Sequence, residues 1–332
     1  MNPKVSVIIP AYNTERYIAR AVGSALEQTE RDIEVVVVDD TSTDATRQVV
    51  QDFSDERVKL FVNERNSGPS VTRNRAIAEA RGEWIAPLDS DDWYAPERLE
   101  QLLRAARTAN ADMVADDVHL IDDGDDRPWG TLLSLGGGRF DRLRPVGAVE
   151  FVDSNIPEKR RSRLGLTKPL INRAFLVRHG LGYDRAVRGA DEDFHFYLAC
   201  LLVGARFVVL PEPYYFYRDR PGSLGSNNRL RILGDRRSSN VGLLQQESVK
   251  SSPELVRSLS RRLSAIEWSI AYLRVVQPIK RGEFAEALRA VARDPSFFAL
   301  FVAHAPSILG YRLYSRFRRL AGKAVSESNA YG

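Results

Sequence analysis

The sequence predicts an α/β fold in which a mostly parallel sheet is flanked by helices and followed by a helical C-terminal extension. Short β-branched runs, such as residues 33–38, alternate with segments whose apolar residues recur at helical spacing. The strand-like runs are continuously apolar, which is typical of parallel strands that are buried on both faces. From Pro253 onward the chain shows helical patterns and ends in a polar tail.

The predicted elements alternate along the chain. Strands are expected at residues 5–9, 33–38, 58–62, 84–88, 112–115, 206–210 and 214–218. Helices are expected at residues 17–26, 44–53, 70–80, 96–109, 173–179 and 191–203. Residues 116–165 lose the periodicity and are rich in Gly, Asp, Arg and Pro, and we predict loops at the acidic cluster 122–126 and the glycine run 136–138.

Length and composition describe an ordinary globular protein. The 332 residues, 43% hydrophobic and 28% charged, suffice for one large domain with an extension and exclude disorder. No run approaches the roughly 20 apolar residues that span a bilayer, and the N-terminus lacks a signal-peptide pattern, so we expect a cytoplasmic location. The lone Cys200 lies in an apolar run and is predicted to be a buried structural thiol.

The most informative segment is an apolar run at residues 84–88 that ends in Asp89, Asp91 and Asp92. Carboxylates gathered at the end of a core strand repel one another unless a cation or strong donor lies between them. Mg²⁺ and Mn²⁺ suit such oxygen ligands and are completed by substrate phosphates, so the pattern indicates a nucleotide-diphosphate substrate. The alternative is an acidic turn before a helix that starts at residues 96–97.

Two other predicted strands also end in polar or ring-bearing residues. Pro10, Ala11, Tyr12 and Asn13 follow the first strand, and Asp39 follows the second. Ligands of α/β proteins bind beyond the carboxyl ends of the strands. We therefore expect these residues and the acids after residue 88 to meet at one edge of the sheet.

Four motifs, in order, resemble the family 2 glycosyltransferases, which have the Rossmann-like GT-A fold. They are Val5-Ser6-Val7-Ile8-Ile9-Pro10-Ala11-Tyr12-Asn13, Val38-Asp39-Asp40-Thr41-Ser42-Thr43-Asp44, Asn66-Ser67-Gly68-Pro69 with Arg73-Asn74, and Leu88-Asp89-Ser90-Asp91-Asp92. The resemblance covers roughly residues 3–225. Residues 166–173 and 189–194 also resemble bacterial exopolysaccharide transferases of the succinoglycan type.

The resemblance implies an inverting transferase that uses a nucleotide sugar, most often a UDP-sugar, and Mg²⁺ or Mn²⁺. It implies a catalytic base at Asp193, with Glu192 as the second choice, and a metal ligand at Asp91. Asp89 would hold ribose or sugar and assist at the metal. The donor-binding residues would be Pro10, Ala11, Tyr12, Asn13, Asp39, Asn66, Arg73, Ser90, Arg218 and Ser223, with Asp39 accepting from the uracil ring and Arg218 and Ser223 closing over the diphosphate.

Structural explanations remain open for several of these residues. Pro10 can simply end a strand, Asp39 can cap a helix, and Arg73 can pair with an acidic neighbour. Arg218 can be a surface residue at a strand end. The run of acids at residues 191–193 suits a helix N-terminus, although consecutive helical residues point about 100° apart and cannot all face one ligand.

The expected organisation is a catalytic domain at residues 1–225 and a helical extension at 226–332. Within the domain, residues 1–115 would bind the nucleotide sugar and residues 116–225 the acceptor, a saccharide or lipid-linked saccharide. Residues 256–332 carry 13 Lys and Arg against 5 Asp and Glu. Peripheral contact of these basic helices with an anionic inner-membrane surface is one explanation, and a helix packed on the catalytic domain with Arg outward is the other.

Two other functions remain as alternatives. A metal-dependent nucleotidyltransferase would also set acids against a nucleotide phosphate, but it would release pyrophosphate rather than a nucleoside diphosphate. A non-catalytic sugar- or nucleic-acid-binding module is favoured by the basic C-terminus, but has little use for Asp89, Asp91 and Asp193 together. We therefore predict an enzyme of bacterial exopolysaccharide or cell-surface polysaccharide synthesis, with no nucleic-acid partner.

Overall fold

The strands that the structure describes form one sheet. The computed structural model describes residues 2–135, 141–157, 163–187, 191–220, 229–295 and 297–298. The strands within these residues are β1 Val5–Ala11, β2 Ile33–Asp39, β3 Val58–Val62, β4 Trp84–Pro87, β5 Trp93–Tyr94, β6 Met113–Asp122, β7 Gly130–Thr131, β8 Arg144–Pro145, β9 Leu170–Asn172 and β10 Phe207–Asp219. Their order is β3-β2-β1-β4-β9-β6-β10-β5, with β7 paired to β6 and β8 to β10.

Helices connect the strands and form the C-terminal part. They are α1 Ile18–Leu26, α2 Thr46–Gln51, α3 Pro69–Glu79, α4 Arg98–Ala109, α5 Leu132–Leu135, α6 Ala148–Ser154, α7 Arg173–His179, α8 Glu192–Leu202, α9 Arg229–Gln245, α10 Glu247–Lys250, α11 Pro253–Ala271, α12 Gln277–Arg281 and α13 Phe284–Arg293. The six helices predicted between residues 17 and 203 are confirmed, with ends that shift by up to two residues. The helices predicted from Pro253 onward are confirmed as far as Arg293, and the prediction for residues 299–332 lies outside the described residues. The predicted α/β class with a mostly parallel sheet is confirmed as well.

The sequence prediction was wrong about the two longest strands. β6 does not stop at residue 115 but continues to Asp122. Its middle carries the buried Asp116 and Asp117, which interrupt the apolar run that marks a strand. The two strands predicted at residues 206–218 are one strand, β10, whose register against β6 shifts on either side of Pro213.

The sheet brings three predicted strand ends to one edge. β1 is parallel to both β2 and β4, and Ala11 at the end of β1 is in register with Asp39 at the end of β2. Beyond β4, the Leu88 backbone N–H donates to the Ile8 carbonyl at 3.0 Å. The predicted convergence of the ends of β1, β2 and β4 is therefore confirmed.

Helices cover both faces of the sheet because alternate strand residues point to opposite sides. Val7 and Val35 belong to an apolar cluster on one face that includes Leu102 of α4. Ile8 and Val36 face the other way and belong to a second cluster. Each fully buried aliphatic side chain contributes about 1.5–3 kcal/mol, so the two clusters hold the strand ends in fixed positions.

The chain divides into two compact units, residues 1–263 and 264–332. The boundary predicted at residue 225 does not coincide with this division, because α9, α10 and the beginning of α11 lie in the first unit. Leu243, Val249 and Leu259 of these helices belong to the second apolar cluster of that unit. In the second unit Trp268 stacks on Tyr272. Among the described residues, every helix is too short or too polar to cross a bilayer.

Candidate active site

The ends of β1 and β2 form the first part of the site. Pro10 and Ala11 close β1, and Tyr12 follows with 47% of its surface exposed. Asn13 has a left-handed backbone with φ of 51°, and its side-chain oxygen accepts from the Thr43 N–H at 2.8 Å. The turn after β1 is thus tied to the turn after β2 and presents the Tyr12 ring to solvent.

Asp39 is fully buried at the end of β2 and has one unused oxygen. Its Oδ2 accepts from the Ser42 N–H at 3.0 Å and from Arg47 Nε at 2.7 Å. Oδ1 is buried and finds no hydrogen-bond partner in the part of the chain that the structure describes. A buried carboxylate oxygen without a partner is costly unless a ligand donates to it. The side chain that accepts from the first N–H of helix α2, that of Thr46, is Asp44 rather than Asp39.

The neighbouring acid, Asp40, has a structural role. It is buried and accepts from the backbone N–H groups of Ser67 and Gly68 at 2.9 and 2.8 Å. Gly68 has φ of 85°, a conformation that favours glycine, and leads into Pro69 at the start of α3. Asn66 is exposed in this same loop. The motif at residues 66–69 therefore fixes the start of the helix that carries Arg73.

A chain of alternating charges links the end of β4 to the start of α8. Arg73 Nη2 donates to Asp89 Oδ1 at 2.8 Å, and Lys168 Nζ lies 2.6 Å from Asp89 Oδ2. The same Lys168 Nζ donates to Asp193 Oδ2, also at 2.6 Å. Tyr197 donates a longer hydrogen bond to Asp193 Oδ1 at 3.4 Å. The chain brings together three residues that the sequence predicted separately.

Among these alternating charges, Lys168 is the residue that was not predicted from the sequence. Its side chain is only 3% exposed, and lysine is rarely buried unless it is paired. Its backbone is left-handed, with φ of 47°, and its carbonyl accepts from Arg98 Nη2 at 2.7 Å. Arg98 is itself held by a buried ion pair with Asp116. The only sequence signal was a lysine directly before Pro169 in an apolar segment.

The charges on this chain stabilise one another. Burial alone would raise the pKa of Asp89, but Lys168 and Arg73 outweigh it and hold the pKa well below the usual range. Burial alone would lower the pKa of Lys168, but Asp193 and Asp89 raise it above its ordinary value. Asp89 and Lys168 are both charged at neutral pH.

We expect Lys168→Met to destabilise the protein, with a characteristic pH dependence. Removing one partner of a buried ion pair costs about 3–5 kcal/mol, which lowers the melting temperature of a domain this size by roughly 6–15 °C. The pKa of Asp89 is depressed in the folded state, so its stabilisation is present above the unfolded pKa of about 3.9 and is lost as the pH falls further. The difference in stability from wild type, measured by differential scanning fluorimetry, should be full at pH 7 and shrink below about pH 4.

The control is Lys4→Met, which breaks the more exposed pair with Glu30 and should cost under about 1 kcal/mol of stability. Equal shifts for the two variants would contradict this assignment.

The carboxylates of Asp91 and Asp92 have different surroundings. Asp92 is buried and accepts from Tyr215 Oη at 2.7 Å and from the Arg218 N–H at 2.8 Å, so it joins the β4 end to β10. Asp91 remains 18% exposed, and its Oδ2 accepts from Arg220 Nε at 2.5 Å. Asp89, at 22%, is exposed to a similar degree, so Asp91 differs from it in pairing with one cation rather than two.

Arg218 and Arg220 both reach toward this acidic turn. Arg218 is buried, and its Nε donates to the Asp91 carbonyl at 3.2 Å, so the interpretation as a surface arginine was wrong. Arg220 lies two residues further and pairs with the Asp91 carboxylate. Arg220 was also missed, although alternate residues of a strand face the same side and the sequence Arg-Asp-Arg carries that period. Ser223 lies outside the described residues.

The donor set fits a metal that arrives with a ligand rather than a metal held by protein alone. Among the described residues there is no group of three or more His, Cys, Asp or Glu side chains arranged to hold an ion. Asp89 already uses both oxygens on Arg73 and Lys168, while Asp91 has one cationic partner and some exposure. Mg²⁺ commonly uses one or two carboxylates, with substrate phosphates and waters completing the octahedron. Asp91 can supply one such carboxylate.

The three consecutive acids at α8 point in different directions, as helical geometry predicts. Asp193 faces Lys168, whereas Asp191 faces Arg262, whose Nη2 lies 2.6 Å from Asp191 Oδ1. Burial would raise the pKa of Asp191, but Arg262 and its other donors lower it to about 2. Burial raises the pKa of Glu192.

Ser90, one of the predicted donor-binding residues, is buried in the turn after β4.

The opposite edge of the sheet carries a separate cavity of about 650 Å³. Lys4, Asp32 and Glu83, which precede β1, β2 and β4, contribute to its lining. It therefore lies at the amino ends of the strands, away from the acids described above. Cys200 is buried, and burial raises the pKa of its thiol to about 12, so it is a structural thiol as predicted.

Residues 6–186 match glycosyl transferase family 2. The succinoglycan biosynthesis protein ExoO of Rhizobium meliloti is 33% identical over 328 residues, which is 98% of this chain and 90% of ExoO. The succinoglycan biosynthesis protein ExoU of the same organism is 38% identical over 233 residues, 68% of this chain and 65% of ExoU. The resemblance to succinoglycan-type proteins is thereby confirmed.

Solved structures confirm the GT-A fold. TarS residues 1–349 of S. aureus in complex with UDP superpose with a TM-score of 0.61 at 24% identity, covering 96% of this chain and 92% of that one. The mannosyltransferase PcManGT of Pyrobaculum calidifontis, in complex with GDP-Man and Mn²⁺, gives a TM-score of 0.55 at 20% identity, with coverage of 95% and 84%. At these identities the similarity establishes the fold alone.

Proposed function

Because this chain belongs to glycosyl transferase family 2 and is a glycosyltransferase of exopolysaccharide-type biosynthesis, we propose that it transfers a sugar from a UDP-sugar donor to a saccharide or lipid-linked saccharide with inversion. The observation that carries the proposal is the charge chain through Lys168. It joins Asp89, on the donor side of the sheet edge, to Asp193, the proposed base. Donor and acceptor groups would therefore meet across one lysine.

The donor nucleotide would bind at the ends of β1 and β2. Asp39 Oδ1, which has no hydrogen-bond partner among the described residues, supports this position, because an N–H of a uracil ring would supply the missing donor. The exposed ring of Tyr12 can stack on the base. TarS has been solved with UDP and with UDP-GlcNAc, which supports a uridine nucleotide here.

The diphosphate would lie between the acidic turn and the arginines around it. Arg220 carries its guanidinium beside Asp91 and can move onto phosphate oxygens, for which its planar fork is suited. We propose that Asp91 binds Mg²⁺ or Mn²⁺ together with the diphosphate, as the Mn²⁺ in the PcManGT complex supports. Such an ion would stabilise the negative charge that develops on the departing nucleoside diphosphate.

Asp193 would accept the proton of the acceptor hydroxyl as that oxygen attacks the anomeric carbon. The attack forms the new C–O bond on the face opposite the breaking bond to the diphosphate, so the configuration inverts. Lys168 would keep the Asp193 carboxylate oriented until the acceptor arrives. A correctly placed base of this kind contributes about 10²- to 10⁴-fold.

The family match favours glycosyl transfer over nucleotidyl transfer, and product analysis tests the choice. Nucleotide sugars would first be screened by thermal shift with and without metal, because a tight donor stabilises the native state by mass action. The donor found would then be incubated with saccharide acceptors and the products separated. Release of UDP with a labelled saccharide is expected, whereas release of pyrophosphate would contradict the proposal.

Contact with an anionic membrane surface stays a proposal. The basic segment at residues 309–320 that motivates it lies outside the described residues. Sedimentation of the full chain with vesicles tests it, since each Lys or Arg near an anionic surface adds about 1 kcal/mol. Equal binding to anionic and neutral vesicles would exclude electrostatic recruitment.

A further inference from the structure

We propose that Arg262, on α11, is a positioning residue that sets the orientation of the catalytic carboxylate of Asp193. The proposal rests on the proposed role of Asp193 as the base. Arg262 lies far along the chain, beyond the motifs at residues 5–92 and beyond the segment that matches the family. Two of its contacts nevertheless lie at the start of α8.

Arg262 binds the residues on either side of the acidic pair Glu192 and Asp193. Its Nη2 lies 2.6 Å from Asp191 Oδ1, and its guanidinium carbon lies 3.8 Å from the centre of the Phe194 ring. Residues three apart on a helix share a face, so the two contacts fall on the same side of α8. Asp193 points about 100° away from Phe194, toward Lys168.

The contacts of Arg262 hold the first turn of α8 in place and do not involve the proposed base directly. Asp191 is the residue before α8, yet its carboxylate makes no capping hydrogen bond to the helix and is directed at Arg262 instead. Asp191 has further, longer contacts with His195 Nε2 at 3.5 Å and Arg236 Nε at 3.7 Å. The helix start is thereby held mainly by ion pairing and a cation–π contact.

Arg262 is itself well fixed. The residue is 2% exposed, and Nη1 donates to Asn240 Oδ1 at 3.0 Å. The Asn240 amide in turn donates to the Leu259 carbonyl at 3.0 Å, one turn before Arg262 on α11. The hydrogen-bond partners found for Arg262 among the described residues do not include Glu192 or Asp193. It therefore acts on the base through Asp191 and Phe194.

The chain offers a matched control one residue away. Arg261 is also on α11 and also pairs with an acid, Asp153, at 2.8 and 2.9 Å, but it is 49% exposed and its partner lies on α6. Arg262→Met and Arg261→Met remove the same charge from the same helix. A general loss of helix docking would affect both variants in a similar way.

Kinetics and binding of the two variants test the proposal. A displacement of about 1 Å at a reacting group can cost 10²-fold, so Arg262→Met should lower kcat about 100-fold. Its donor Kd, measured by calorimetry with UDP, should stay within twofold, because the nucleotide site is on β1 and β2. Arg261→Met should keep kcat within threefold. Equal losses of kcat in the two variants, or a parallel loss of donor affinity in Arg262→Met, would overturn the proposal.

A double-mutant cycle separates positioning from simple damage. Asp191→Asn preserves shape and removes the ion pair, and it carries the same comparison if Arg262→Met is recovered unfolded. Asp191→Asn should also lower kcat with donor Kd unchanged, and the double variant should be no slower than the slower single variant. Multiplicative losses would mean that the two residues act independently and would overturn the proposal. Asp193→Asn is measured alongside: if it stays active, the proposed base is wrong, whereas if it is inactive while Arg262→Met is unaffected, only the positioning role is wrong.

Discussion

Replacing Asp193 with asparagine is expected to abolish sugar transfer and to leave donor binding intact. The amide has the same shape as the carboxylate and still offers an oxygen to Lys168, which lies 2.6 Å from Asp193 Oδ2 in the wild type. It cannot accept the proton of the acceptor hydroxyl. The expected loss of kcat is about 10²- to 10⁴-fold.

Donor binding should survive because the proposed nucleotide residues at the ends of β1 and β2 are not among the hydrogen-bond partners found for Asp193 in the described residues. Its contacts are Lys168 and Tyr197, whereas the predicted nucleotide residues lie at the ends of β1 and β2. Transfer of radiolabelled sugar gives the rate, and calorimetry with UDP gives the affinity. The wild-type and variant Kd values should agree within about threefold.

Glu192→Gln is the control that distinguishes the two candidate bases. Burial raises the pKa of Glu192, but it is Asp193 that pairs with Lys168, the contact that would orient the base. Glu192→Gln should lower kcat less than Asp193→Asn does. Asp184→Asn, at an exposed residue, should leave kcat unchanged. Residual activity of Asp193→Asn within tenfold of wild type would refute the assignment, and a larger loss in Glu192→Gln would transfer the role to that residue.

The alternation of strands and helices and the acidic edge could be predicted because they leave local signals. Parallel strands buried on both faces are continuously apolar, as residues 35–38 are. A carboxylate at the end of such a strand is unfavourable unless a cation or hydrogen-bond donor compensates it, so it stands out in the sequence. The second half of β6 was not predicted, because buried acids interrupt its apolar run. Asp116 is buried inside it and satisfied by Arg98, an ion pair that no local pattern reveals.

Three cations of the site could not be predicted from the same reasoning. Lys168, Arg220 and Arg262 belong to residue types that are exposed by default, so their sequence positions indicate surface. Each is placed by a partner more than 20 residues away: Asp193, Asp91 and Asp191. Sequence patterns identify the acids that need compensation, whereas only the tertiary structure identifies what compensates them.

Divalent metal is expected to bind this protein tightly only when a nucleoside diphosphate is present. Asp91 is partly exposed and pairs with one cation, whereas Asp89 pairs with two, and a single carboxylate does not hold Mg²⁺ or Mn²⁺ well. In titrations followed by electron paramagnetic resonance, Mn²⁺ alone should bind with a Kd above about 1 mM. Addition of UDP should tighten binding at least 100-fold, because the phosphates supply the remaining oxygens.

Asp91→Asn should remove this coupling between metal and nucleotide. The variant loses the anionic ligand and leaves Arg220 without its partner, so Mn²⁺ should no longer strengthen UDP binding. Stabilisation of the leaving diphosphate by metal is worth several kcal/mol, and each 1.36 kcal/mol is a factor of ten, so kcat should fall at least 100-fold. Asp126→Asn, which breaks an exposed pair with Arg20, serves as the control and should behave as wild type. Tight Mn²⁺ binding without nucleotide, or full activity of the wild type in EDTA, would show that Asp91 has another role, because both results contradict a metal shared between this carboxylate and the donor.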